Sequence, residues 1–165
     1  MDKKEALKIV QRDGFKLKNM PDQLKKDKDI VLEAVKQSGN ALEYADDSFK
    51  KDKEIVLKAM KRGSRVLRLA DESLKKDKEF VLEAVRQDGF ALDYADDSFK
   101  KDKEVVIEAV KRNGHALECA NEILKKDKGF ILEAVKQNRL ALEHADESLW
   151  NDPDILAIVN KKNNS

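Results

Sequence analysis

Ser48–Leu67 reads SFKKDKEIVLKAMKRGSRVL and Ser98–Leu117 reads SFKKDKEVVIEAVKRNGHAL, two nearly identical phrases 50 residues apart. Around them an aspartate recurs every 25 residues, at Asp2, Asp27, Asp52, Asp77, Asp102, Asp127 and Asp152, without one insertion. Leu17, Leu42, Leu67, Leu92, Leu117 and Leu142 keep the same step, as do Ala45, Ala70, Ala95, Ala120 and Ala145. A strict period of this length is the signature of a repeat array. It divides the chain into repeats one to six, at 2–26, 27–51, 52–76, 77–101, 102–126 and 127–151, and a terminal half repeat at 152–159. A second rhythm, Arg12, Gln37, Arg62, Gln87, Arg112, Gln137, gives a 50-residue superperiod and suggests growth by duplication of repeat pairs.

Within a repeat the spacing is helical. Asp52 suits an N-cap and Glu54 the first turn, where acids meet the positive end of the helix dipole. Ile55, Val56, Ala59 and Met60 lie on one face, Leu57 adds a flank, and Lys61 and Arg62 close the last turn. Gly14, Gly39, Gly89 and Gly114 stand just beyond, where a left-handed C-cap is expected; the glycine slips to Gly63 in repeat three, and Asn138 and Arg139 replace it in repeat six. A second short helix is expected over ALEYA, Ala41–Ala45, and its relatives, ending before Pro21 in repeat one. The ADDSFKKD segment should form one turn or a tight loop pinned by Phe49, Leu74, Phe99, Leu124 or Leu149. Asp152-Pro153 starts a final helix, with Ile155, Leu156 and Val159 facing inward.

Such a unit cannot bury both its sides alone, so neighbours must stack. The expected fold is all-α: a right-handed-type α-solenoid or superhelix of paired short helices, thirteen in all, in one domain over 2–159 with a frayed tail at 160–165. Leucine-rich repeats have a similar length, but they need an L-x-x-L-x-L strand that is absent here.

Composition agrees. The 165 residues carry 34 Lys+Arg against 33 Asp+Glu, a net charge of +1, which gives no bulk attraction to nucleic acid or anionic membrane. Charged residues reach 41%, against about 25% in ordinary domains, yet the chain is also 41% hydrophobic and patterned, unlike a disordered segment. One cysteine, Cys119, excludes an intrachain disulfide. No apolar run reaches signal-peptide or membrane-helix length, so the expectation is a soluble, monomeric protein, intracellular (cytoplasmic) or exported without a cleaved signal.

The phrase D-K-E-x-V-L-E-A-V-x-x-x-G-x-A-L-E-Y-A, from Asp27 and again from Asp77, resembles the repeat called domain of unknown function 4116. The resemblance runs from Asp2 to about Val159. Repeat one departs from it with KLKNM in place of ALEYA, and repeat six lacks the glycine. The resemblance implies a helical repeat array and, by analogy alone, a host-directed or scaffolding role.

Function is sought where the repeats differ. After the glycine come Phe15, Asn40, Arg65, Phe90, His115 and Leu140; four residues later come Asn19, Tyr44, Leu69, Tyr94, Cys119 and His144. Between them run Lys18, Glu43, Arg68, Asp93, Glu118 and Glu143. In an α-helix the i and i+4 positions share a face, so each second helix would show a stripe that changes along the array. Tyr44, Arg65, Arg68, Leu69, Phe90 and Tyr94 are the candidates for binding a protein partner, being rich in the aromatics and Arg typical of hot spots. The competing reading is packing and drift at tolerant positions, in a purely structural array or a piece of a larger protein.

Lysines at 25–26, 50–51, 75–76, 100–101 and 125–126, with others at 28, 53, 78, 103 and 128, form a basic ladder beside an acidic one; it reads as a solvated edge, and no nucleic-acid partner is expected. His115, Cys119 and His144 could converge on a metal such as zinc, although ordinary variation also yields them. No P-loop, dinucleotide fingerprint or oriented nucleophile is present, so neither an enzyme nor a cofactor is expected.

Overall fold

Each repeat opens on its aspartate, whose carboxylate accepts the N–H groups that the first helical turn leaves unpaired. Asp52 Oδ1 takes Glu54 N–H at 3.0 Å and Ile55 N–H at 3.3 Å. Asp2, Asp27, Asp77, Asp102, Asp127 and Asp152 cap in the same way. The capped helices are Lys3–Arg12, Lys28–Gln37, Lys53–Met60, Lys78–Gln87, Lys103–Arg112, Lys128–Gln137 and Pro153–Lys161. They bury the predicted face: Ile30, Val31, Ala34 and Val35 in repeat two, Ile55, Val56, Ala59 and Met60 in repeat three.

The computed structural model describes residues 1–161. Among them the regular elements are ten α-helices and nine 3₁₀-helices, and no strand occurs. The architecture is an all-α repeat solenoid built of three segments per repeat rather than two, so the expected thirteen helices become nineteen. Two compact units are distinguished, Met1–Phe80 and a second beginning at Val81. The final helix extends to Lys161, so Asn160 and Lys161, expected to fray, are helical; the rest of that expected tail, 162–165, lies outside the described residues. Ile155 is fully buried there, while Leu156 and Val159 are half-buried.

The second segment departs from expectation. Gly14–Asn19, Gly39–Tyr44, Ser64–Leu69, Gly89–Tyr94, Gly114–Cys119 and Arg139–His144 are all 3₁₀, not α. The burial pattern explains this. Gly39, Leu42 and Ala45 are buried three residues apart, as are Gly14, Leu17 and Met20, and Gly114, Leu117 and Ala120. A period of three is the face of a 3₁₀ helix, whose residues i and i+3 eclipse.

The glycines also serve another purpose than the left-handed cap expected of them. Only Gly63 has a positive φ among the described residues, at 125°. At the other sites the residue before the glycine makes the turn in extended conformation. Asp13, at φ −151°, closes the first helix with its N–H to Ile9 and opens the next segment with its carboxylate on Phe15 N–H. The glycine is needed for close approach: a Cβ on Gly39 would sit 2.4 Å from the Ala59 carbonyl oxygen of the following repeat. Repeat three carries Ser64 in this slot and takes another path, ending its first helix early at Met60 and turning at Gly63.

Neighbours are joined by more than packing. In the first unit Asp46 N–H donates to Lys25 O at 3.1 Å and Asp71 N–H to Lys50 O at 2.9 Å; in the second Asn121 N–H donates to Lys100 O at 2.8 Å and Asp146 N–H to Lys125 O at 3.0 Å. The Arg/Gln superperiod has a physical counterpart here. Arg62 Nε donates to Lys36 O at 2.8 Å, and Arg112 Nε to Gln87 O at 2.9 Å. Each arginine thus satisfies a free carbonyl at the end of the preceding repeat's first helix.

The second oxygen of five opening aspartates accepts the lysine one repeat earlier. Lys3–Asp27 spans 2.8 Å, Lys28–Asp52 2.9 Å, Lys53–Asp77 2.6 Å, Lys103–Asp127 2.6 Å and Lys128–Asp152 2.8 Å. Exposed pairs of this kind contribute little to stability, whereas burying one Leu, Ile or Val contributes roughly 1.5–3 kcal/mol. The apolar columns therefore hold the stack and the charges keep its register.

Two outcomes are expected. Gly39→Ala should lower unfolding free energy by about 1–3 kcal/mol in urea titrations, the usual cost of overpacking, while its exposed neighbour Asn40→Ala should stay within about 0.5 kcal/mol. The lysine hydrogen bond is the main cause holding Asp27, Asp77, Asp127 and Asp152 below the ordinary aspartate range, helped by the capped N–H groups. Hydrogen bonds to carboxylates likewise raise Lys3 (Asp27 and Asp29), Lys28 (Asp52 and Glu54) and Lys128 (Asp152 and Asp154). The aspartate contribution is whole above the unfolded value of about 3.9 and is lost as pH falls through the lower folded values. The lysine contribution is whole below about 10.4 and is lost above it. The urea midpoint should therefore be flat between about pH 6 and 9 and fall below about pH 4.

Candidate functional site

The variable columns lie on the 3₁₀ segments, and their geometry follows from that. At three residues per turn, positions i and i+3 align while i and i+4 diverge by about 120°. The i,i+4 stripe expected of an α-helix is thus replaced by two separate columns. In the first unit Arg65 and Arg68 are exposed, and Tyr44 and Leu69 are half-buried. In the second unit Phe90 and Tyr94 are half-buried, with Asp93, Glu118 and Glu143 exposed.

The columns meet between neighbouring repeats. In the first unit the Phe15 and Tyr44 rings pack edge to face with centroids 6.5 Å apart, and Lys18 Nζ lies 5.6 Å from the Tyr44 centroid. Arg68 and Glu43 approach to 3.8 Å. Phe15, Asn40, Arg62, Gly63, Arg65 and Val66 line a groove of about 250 Å³. Exposed Phe15 therefore opens a concave surface that continues to Arg65.

In the second unit the same step of 29 residues joins His115 to His144, with His115 Nδ1 and His144 Nε2 3.0 Å apart and the rings perpendicular. Glu143 Oε2 stands 3.7 Å from His115 Nδ1. These three side chains bring their ligand atoms within 4.8 Å of one another. Cys119, expected with the histidines, is not in this group, because i+4 turns it away from His115. It faces a separate polar groove of about 350 Å³ with Asp97, Lys100 and Glu122. Burial pushes its thiol up to about 11, and the charges of Asp93 and Glu118 push the same way.

Two features escaped the sequence reading. Glu143 enters the histidine pair although only its column was noticed. Trp150, 43% exposed, donates Nε1–H to Ala145 O at 3.0 Å and lines, with Leu140, Leu142 and Val159, an open apolar groove of about 580 Å³. The lysine ladder, in contrast, is occupied. Lys25, Lys50, Lys75, Lys100 and Lys125 pair with the acid three residues before, at 2.6–3.5 Å.

A family model matches residues 2–50, 32–75, 52–100, 77–125, 102–150 and 127–165. The chain belongs to the family described as domain of unknown function (DUF4116). No curated protein and no solved structure matches it. This DUF4116 array contains no helix, among the described residues, that is long and apolar enough to cross a membrane.

With its thiol near 11, Cys119 should be alkylated by iodoacetamide at pH 7.5 about a hundredfold or more slowly than an unperturbed thiol. Urea should restore the ordinary rate. Equal rates in folded and unfolded chain would show that burial does not govern this thiol.

Proposed function

We propose that this DUF4116 chain is a non-enzymatic helical-repeat scaffold that recognises a protein partner through its 3₁₀ columns. Tyr44, Arg65, Arg68 and Leu69 serve in the first unit, and Phe90 and Tyr94 in the second. One observation carries the reading. Within the 3₁₀ segments the positions that recur are buried, as with Ala41, Leu42, Leu67, Ala91 and Leu92, while the positions that vary are exposed or half-buried. A half-buried aromatic ring is already partly fixed by packing, so it orders little on binding. Exposed Arg65 beside the groove adds a charged, multidentate donor. The contrasting acids of the second unit, Asp93, Glu118 and Glu143, give that surface a different charge, which favours one partner over another.

A purely structural array is the second reading, favoured by the Phe15–Tyr44 contact, which would also serve packing alone. Affinity capture from source or host lysate separates the two. The baits are wild type, Tyr44→Ala/Phe90→Ala/Tyr94→Ala, and a control with exposed Lys4, Lys8 and Lys101 changed to Ala, each shown to be folded by circular dichroism. The scaffold reading expects a protein held by wild type and control and reduced at least about tenfold by the aromatic variant, since each hot spot is worth about 2 kcal/mol or more. Equal retention by all three baits leaves the columns structural.

A further inference from the structure

The sharpest chemical arrangement in the molecule shares Glu143 with that surface but does not depend on that reading. We propose that His115, His144 and Glu143 form a Zn²⁺ site bridging repeats five and six. The two imidazoles already face each other across 3.0 Å, nitrogen to nitrogen, with the Glu143 oxygen 3.7 Å from His115 Nδ1. Zn–N distances of about 2.0–2.1 Å in tetrahedral geometry separate two ligand nitrogens by about 3.3 Å. The nitrogens therefore need to part by only a few tenths of an ångström, with the rings turning so that both lone pairs point at the ion rather than at each other.

The backbone that carries them is held. Asn113 Oδ1 accepts His115 N–H at 3.1 Å at the start of one 3₁₀ segment. Beyond His144, Ala145 N–H donates to Leu142 O at 3.2 Å, and Ala145 O receives the Trp150 indole at 3.0 Å. Each histidine thus stands on a segment fixed at the end where it sits, which favours a preorganised site.

The proton balance is simple. Without the ion, one ring nitrogen donates N–H to the lone pair of the other across the 3.0 Å contact. Zn²⁺ needs the lone pair of His115 Nδ1 and that of His144 Nε2. The ring that was the donor moves its proton, through water, to its outer nitrogen, and both imidazoles bind as neutral ligands. Glu143 supplies one negative oxygen. Two imidazoles and a carboxylate suit zinc, whereas Mg²⁺ and Ca²⁺ require shells made of oxygen. His115 is 39% and Glu143 61% exposed, so solvent can reach the fourth position and water can fill it.

Isothermal titration of the purified chain, without a polyhistidine tag, tests the site, with Co²⁺ as a spectroscopic probe. One Zn²⁺ per chain is expected, and Co²⁺ should give the visible d–d bands of a tetrahedral centre. Loss of groups that merely support a ligand costs about 10–100-fold in metal affinity, so His115→Ala and His144→Ala should each cost upward of ~100-fold and abolish the bands. Glu143→Gln should weaken binding by at least about tenfold. Cys119→Ala should bind like wild type. Circular dichroism establishes that each variant is folded, and the half-exposed positions of the rings favour that. Zn²⁺ binding that survives in both histidine variants would place the ion on surface carboxylates and overturn the proposal. Loss in Cys119→Ala, or unchanged affinity in Glu143→Gln, would overturn this ligand set. No partner takes part in these titrations, so their outcome is independent of the scaffold reading.

Discussion

Neighbouring repeats approach at their backbones too closely to admit a side chain, and the rest of the repeat is arranged around that approach. A Cβ at Gly14 would lie 2.2 Å from the Ala34 carbonyl oxygen, at Gly39 2.4 Å from that of Ala59, and at Gly89 2.6 Å from that of Ala109. No side chain fits between these strands of backbone. The first helix of one repeat therefore sits directly against the second segment of the repeat before. The alanines at 34, 59 and 109 that supply these carbonyls are fully buried.

Register along that contact comes from the aspartate's two oxygens. In Asp27, Asp52, Asp77, Asp127 and Asp152 one oxygen caps its own helix and the other takes the lysine of the previous repeat. One carboxylate thus ties helix initiation to neighbour alignment. An inserted residue would break the alignment while leaving the cap intact, which gives a physical reason for a period kept at 25 residues through six repeats. The arginine at every second repeat adds a carbonyl cap across the same joint.

The period, the first helices, their caps and their buried faces were legible in the sequence because each rests on local chemistry. Asp52 followed by Ile55, Val56, Ala59 and Met60 allows little else. The 3₁₀ segments were legible too, in the three-residue spacing of Gly39, Leu42 and Ala45, but the helix-forming composition of ALEYA favoured the α reading. The glycines misled for a different reason. A glycine after a helix is as consistent with a left-handed cap as with a close approach, and the nearby repeat that decides between them is 20 residues away. Asp13, Asp88, Asn113 and Asn138 carried the better signal, being cap residues placed directly before the glycine slot.

The histidine site shows how chemistry can arise in such an array. A 3₁₀ segment turns its i+4 side chain about 120° from its i side chain, so one repeat cannot bring its i and i+4 variable residues together by itself. That is why His115 and Cys119 separate although four residues apart. Convergence occurs between neighbours, at a step of one repeat plus four residues: Phe15 meets Tyr44 in one unit and His115 meets His144 in the other. The frame fixes the meeting point and leaves its chemistry free, since an aromatic pair and an imidazole pair occupy equivalent places. Residues 29 apart are then the natural unit of variation. A single substitution in either column changes the pair without touching the buried Gly, Leu and Ala face beneath it.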